Sequence, residues 1–121
     1  MSNPTGATGH YDGQDFYCDV AIPRKQPLEV VHEDQDVLAF HHTRPFWPVH
    51  IVVVPKRHVD SLLTLEDPAL AGRLLGVVQQ VAADVVAREG KAGVLTNLGE
   101  YQDSKHLHIH VHAGAPLSTS P

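Results

Sequence analysis

The sequence predicts an α+β domain: an antiparallel sheet of about five strands, one long helix against a face of it, and one short helix. Three segments carry that reading. His106-Leu-His-Ile-His-Val-His112 alternates strictly between imidazole and aliphatic side chains, the period of a half-buried strand with two unlike faces. The chain is apolar from Ile51 to Pro55 behind His50, as suits a central strand buried on both sides. Between Pro68 and Glu89, the residues Leu70, Leu74, Val77, Val81 and Val85 recur at helical spacing, so one stripe of a long helix faces a core.

The elements follow in order. Met1 to Gln14, rich in Gly, Ser, Thr and Asn and without a long apolar run, reads as a flexible leader and lacks a signal peptide's core. Phe16 to Ile22 reads as a short helix or an extended lead-in, limited by Pro23. Glu29–Glu33 and Asp36–His41 are expected strands, with Glu33-Asp34-Gln35-Asp36 as the polar turn of a hairpin. Pro45 and Pro48 stiffen the loop that follows. His50 to Pro55 is the central strand, and a shorter helix is expected over Val59 to Leu63. Asp67 caps the long helix, Pro68 takes its first position and Gly90 stops it. A strand around Gly93 to Thr96, a loop from Asn97 to Lys105 and the histidine strand complete the domain, 15–114. Residues Ala115 to Pro121 read as a polar tail.

With 121 residues the chain supports one core. A net charge of −5 with scattered Lys and Arg argues against a nucleic-acid surface, which would show a basic patch. The single cysteine, Cys18, excludes an internal disulfide and is read as a packed thiol. No stretch reaches the roughly 18 consecutive apolar residues of a membrane span. A soluble cytoplasmic protein is expected, with no nucleic-acid or membrane partner.

The histidines carry the chemistry. A strand built for stability alone would not fill one face with side chains that titrate near neutral pH. If the strand of His50 neighbours the histidine strand, several rings can cradle one phosphate. One would attack phosphorus in a covalent step, and ring N–H groups would stabilise charge on its oxygens. Neither role needs a metal or another cofactor. Two alternatives remain open: a metal site built from His106, His108, His110 and His50, since imidazole suits several transition metals, and a nucleotide-binding module without turnover.

At these residues the chain resembles the histidine triad (HIT) hydrolases and transferases, in the branch near the Hint-type phosphoramidases. The run His106-Leu-His108-Ile-His110-Val matches all but the last position of the family motif His-φ-His-φ-His-φ-φ. The likeness extends through Asp36-Val-Leu-Ala-Phe-His41, Pro45, His50-Ile-Val-Val-Val-Pro-Lys-Arg-His58, Asn97, Gly99 and Gln102. It implies a HIT-like fold, a homodimer, and hydrolysis of a nucleoside phosphoramidate or related nucleoside monophosphate ester, with a purine nucleotide as the expected partner. It makes His108 the nucleophile, His110 and His50 its phosphate-facing partners, and His106 the residue that orients it. Asn97, Gln102, Phe40 and Ile51 would contact the substrate. His42 stands where many relatives carry an Asp for the ribose hydroxyls. His112 replaces the last apolar position of the motif, so His108/His110/His112 is an alternative register. The loop before the triad is two residues shorter than in Hint-type relatives, and Ser104 or Asp103 stands in for their leaving-group Ser.

Overall fold

The computed structural model describes residues 15–117; the expected leader, 1–14, and the end of the tail, 118–121, lie outside the described residues. Five strands form one antiparallel sheet: β1 (Val30–Glu33), β2 (Val37–His41), β3 (Val49–Pro55), β4 (Gly93–Leu95) and β5 (Ile109–Ala113), in the order β1-β2-β3-β5-β4. The helix α1 (Pro68–Glu89) packs on one face. This is the α+β architecture the sequence predicts, with the expected central strand in the middle of the sheet.

β3 is apolar because both of its faces are covered. Ile51 and Val53 meet α1, while Val52 and Val54 pack on the other side with Leu38, Phe40, Tyr17 and Ala21. The first hairpin turns on Asp34, whose Oδ1 accepts the Asp36 and Val37 N–H groups at 2.8 Å each. Such a bond lets an Asx side chain stand in for a backbone turn. Asp67 caps α1, its Oδ1 accepting from Ala69 and Leu70 at 3.0 and 3.3 Å, and Gly90 ends the helix at φ 81°. By length and composition α1 could cross a membrane. Here Leu70, Leu74, Val77, Val78, Val81 and Val85 are buried against the sheet, so its apolar side serves the core.

Three expectations need adjustment. The alternatives over Phe16–Ile22 resolve as one wide helical turn, Tyr17–Ala21, in which Ile22 N–H donates to the Tyr17 carbonyl at 2.8 Å. The short helix expected at Val59–Leu63 is a turn at Leu62–Thr64 instead. Val59 is held extended because its carbonyl accepts from Leu107 N–H at 2.7 Å, and Ser61 caps the turn by accepting from Leu63 N–H at 3.1 Å. Finally, the histidine strand enters the ladder only at Ile109, which pairs with Val53. Two residues on, β3 reaches Pro55, which has no N–H to give, and the Pro55 carbonyl goes to the His106 ring. His106 to His108 therefore run beside the sheet as an extended lead into β5.

Candidate functional site: a histidine face opposite the helix

Strand register sorts the histidines. His50 lies directly across from His112, and Val52 across from His110. His42 continues β2 past its last pair, donating its backbone N–H to the His50 carbonyl at 2.8 Å. Successive strand residues point to opposite faces, so His42, His50, His110 and His112 share the face away from α1, and His108 joins them with its ring 5.0 Å from that of His110. The wide turn covers the neighbouring part of this face, with the Tyr17 ring 4.9 Å from His108 and 6.2 Å from Phe40.

Backbone partners decide which ring nitrogens carry hydrogen. A neutral imidazole has one N–H and one lone pair, and a carbonyl can only accept. His108 Nδ1 lies 2.7 Å from the His106 carbonyl, so Nδ1 holds the hydrogen and the lone pair is on Nε2. Phe46 N–H donates to His50 Nδ1 at 2.9 Å, which places the His50 hydrogen on Nε2. That N–H donates to His110 Nδ1 at 2.8 Å, leaving His110 with its hydrogen on Nε2. Around a phosphate these assignments set a lone pair on His108 beside an N–H donor on His110. His42 follows the same rule: its Nδ1 accepts from Arg44 N–H at 3.0 Å, so its Nε2 is a donor.

Burial keeps these rings uncharged. It pushes His50 down to about 3 and His42 and His110 to about 4, with the neighbouring rings adding to the effect. It lowers His108 as well. At neutral pH the row is a set of neutral tautomers, and the assignments above hold.

The remaining predicted residues fall into three groups. Asn97 is half-buried two residues past β4, and Ser104 is half-buried with its Oγ enclosed and without a hydrogen-bond partner among the described residues. Gln102 is committed to the scaffold, its Nε2 donating to the Asp60 carbonyl at 2.7 Å, and His106 is wholly buried, serving His108 through its carbonyl rather than its ring. Ile51 and Phe40 are corrections. Ile51 is 1% exposed and points to α1, because it alternates with His50 and Val52, and Phe40 is 1% exposed beneath Tyr17. Neither side chain reaches the surface among the described residues. Sequence reasoning missed Thr96, whose Oγ1 donates to the His108 carbonyl at 2.8 Å. It also missed the joint role of Phe46, Trp47 and His112, whose rings and backbone border His50.

Tautomers also decide which groups are able to hold a cation. His42, His50 and His110 bring nitrogens within 4.8 Å of one another, yet the Nδ1 lone pair of each is already taken, so they suit an anion. The alternative metal site from His106, His108, His110 and His50 is therefore not favoured by this arrangement. Lone pairs converge elsewhere, on Asp15, Cys18, His58 and His106. Cys18 Sγ lies 3.3 Å from His106 Nδ1 and 3.8 Å from His58 Nδ1, and Asp15 Oδ2 lies 3.2 and 2.6 Å from the same two nitrogens. Tetrahedral zinc bonds of about 2.0–2.3 Å imply ligand spacings in roughly this range. Both rings are oriented by their far nitrogens, His106 Nε2 on the Pro55 carbonyl and His58 Nε2 on Asp60, as the outer partners of metal-binding histidines usually are. Without an ion, hydrogen bonds to Asp60 and then Asp15 raise the pKa of His58 above its ordinary value. The sequence signal was the three-residue spacing of Asp15 and Cys18, one turn of a helix.

Comparison with known proteins finds relatives of this sequence and fold. The family model described as HIT domain matches residues 24–117. An uncharacterized HIT-like protein of Synechococcus elongatus is 41% identical over 103 residues, spanning 83% of this chain and 90% of its own length. A counterpart in Synechocystis is 39% identical over the same shares. Among solved structures, a histidine triad protein from Clostridium difficile has a TM-score of 0.71 at 32% identity, covering 88% of this chain and 96% of that one. A HIT family hydrolase from Clostridium thermocellum has a TM-score of 0.70 at 25% identity, covering 88% and 95%.

Proposed function

The chain belongs to the HIT domain family, and we propose that it is a nucleotide hydrolase or transferase that cleaves a nucleoside phosphoramidate or related nucleoside monophosphate ester through a nucleotidyl-His108 intermediate. One observation carries the reading: the His108 Nε2 lone pair stands beside the His110 Nε2–H, both on neutral rings whose tautomers the backbone sets. A nucleophile next to a donor suits attack on a phosphate ester.

In the first step the Nε2 lone pair of His108 bonds to phosphorus as the bond to the leaving amine or alcohol breaks, and the departing group takes up a proton. His110 donates its Nε2–H to a phosphoryl oxygen and holds the developing charge. Water then attacks the same phosphorus, a proton is released, and the P–N bond breaks to restore neutral His108. Burial, which lowers the His108 pKa, keeps the lone pair available at neutral pH. Asn97 and His42 border the nucleoside, and Ser104, whose Oγ has no hydrogen-bond partner among the described residues, stands by the leaving group.

A homodimer in the cytoplasm fits this reading. Leu75 and Val86 on α1 and Val94 on β4 are exposed, and β4 is an edge of the sheet, a combination that a second copy would cover. Light scattering on the purified protein tests the dimer. The activity is tested by mixing the protein with an adenosine 5′-phosphoramidate and following amine release together with the mass of the peptide around His108. Release with a nucleotidyl adduct on that peptide is expected. Binding without release or adduct would instead establish a module without turnover.

A further inference from the structure

We propose that Trp47 and His112 are positioning residues for the phosphate-facing pair: their stack holds the loop that decides which nitrogen of His110 carries hydrogen. The Trp47 indole lies on the His112 ring, centroids 3.8 Å apart and planes 14° from parallel, and meets the His50 ring at 75° and 4.9 Å. Trp47 belongs to the loop 42–48 between β2 and β3, whereas His112 is on β5. The stack therefore ties the loop to the strand that bears the site.

What the loop delivers is the Phe46 N–H, one residue before Trp47, to His50 Nδ1 at 2.9 Å. If that N–H withdraws, His50 can hold its hydrogen on Nδ1 and accept at Nε2. His110 then donates from Nδ1, and its Nε2 becomes a lone pair. One hydrogen moves on each ring, and the donor meant for a phosphoryl oxygen becomes an acceptor that repels it. The direction of the whole chain rests on a single backbone N–H.

The seat for His112 supports the same role. Gly93 of β4 pairs with His112, and a Cβ at Gly93 would lie 2.6 Å from both Cε1 and Nε2 of that ring. β4 leaves room there that only glycine leaves, and the indole closes the other side. At its start the loop is also tied to His50 by the His42 ring, stacked at 4.3 Å. Next to Phe46 and Trp47, however, its other anchors, the Leu117 N–H on the Phe46 carbonyl at 2.8 Å and Pro48 beside Gly114, touch none of the imidazoles.

The reading of His110 as phosphate donor belongs to the proposed function, so the primary readout is one that needs no substrate. Nitrogen-15 NMR of the ring nitrogens reports the tautomers of His50 and His110 directly. Both are expected as Nε2–H in the wild type. In Trp47→Ala, His112→Val and Gly93→Ala the Nδ1–H forms should gain about fivefold, the weight of roughly one neutral hydrogen bond. Trp47→Phe, which keeps a flat ring, should restore most of the wild-type ratio, and kcat should fall several-fold in the first three variants with a smaller change in KM. Gly93→Ala attacks the stack from the far side and decides the matter if Trp47→Ala does not fold. Folded variants whose tautomers match the wild type would overturn the inference, as would a wild type already in the Nδ1–H form. A tautomer shift with kcat unchanged would uphold the positioning and count against His110 as the phosphate donor.

Discussion

His108 Nδ1 donates to the carbonyl of His106, two residues earlier, at 2.7 Å. That bond turns the lone pair of His108 outward on Nε2, while the His110 Nδ1 lone pair is occupied by His50, and on the proposed function it makes His108 the nucleophile. His108→Ala should lower turnover by roughly three orders of magnitude or more, as loss of a nucleophile does, and should abolish covalent labelling. His110→Ala should slow the reaction yet leave a labelled peptide at His108. Labelling that survives His108→Ala and vanishes in His110→Ala would move the register one step along the strand.

A divalent ion added to the protein should settle on Asp15, Cys18, His58 and His106, because the lone pairs of the other cluster are already in hydrogen bonds. Titration with Co²⁺ should produce a thiolate charge-transfer band that Cys18→Ser removes and His50→Asn leaves in place. A thiolate ligand there must first lose the Cys18 proton, whose pKa burial pushes up to about 12, so affinity should rise with pH. Turnover should survive chelators, since no step draws on a metal. Loss of activity in EDTA, restored by zinc, would refute this.

The strong periodicities were legible in the sequence and the side-chain bonding was not. Alternation predicted the histidine face, and the Asp67, Pro68 and Gly90 signals bounded α1 correctly. Ile51 was misplaced although the same alternation, applied from His50, would have put it on the helix side. The start of β5 depended on Pro55, a residue on another strand, and no local pattern in His106-Leu-His108 reveals that. Tautomers are still less visible. The N–H groups that decide them belong to Phe46 and Arg44, whose side-chain identities are irrelevant to the bond. The Asp15–Cys18–His58–His106 cluster joins residues far apart in the chain, and only the folded sheet brings them together.

Stability should fall as pH drops from about 6.5 toward 4, a window set by the histidine face. His42 and His110 titrate at about 4 in the folded protein and His50 at about 3, against roughly 6.5 when unfolded. The unfolded chain takes up these protons first, so their contribution is complete above 6.5 and is lost on acidification. Each ring can add a slope approaching about 1.4 kcal/mol per pH unit. His58 acts in the opposite sense, its pKa being raised, but it is exposed and solvent screens it. The lowered carboxylates Asp15 and Asp34 lose their contribution only at lower pH. Urea midpoints measured from pH 7.5 to 4.5 should decline, and His42→Asn should flatten the curve. Equal midpoints at pH 7 and 5 would contradict the assignment.

The last prediction concerns the sugar. His42 Nδ1 accepts from Arg44 N–H, so at neutral pH the ring offers the ribose one donor and no acceptor. Two ribose hydroxyls that would both donate to a carboxylate find no acceptor on the His42 ring. The wild type should therefore distinguish ribose from deoxyribose weakly. His42→Asp restores a charged acceptor, whose hydrogen bond is worth roughly 1.5–3 kcal/mol against about 1 for a neutral one, and should raise the ribo-to-deoxyribo ratio of kcat/KM several-fold. The same carboxylate would stand beside His50, whose ring now stacks on His42 at 4.3 Å, and should raise the His50 pKa. A higher acid limit of the pH–rate profile is the second signature of the variant. If the wild type already discriminates strongly, and His42→Asp changes neither the ratio nor that limit, His42 does not face the ribose and the nucleoside lies elsewhere on the histidine face.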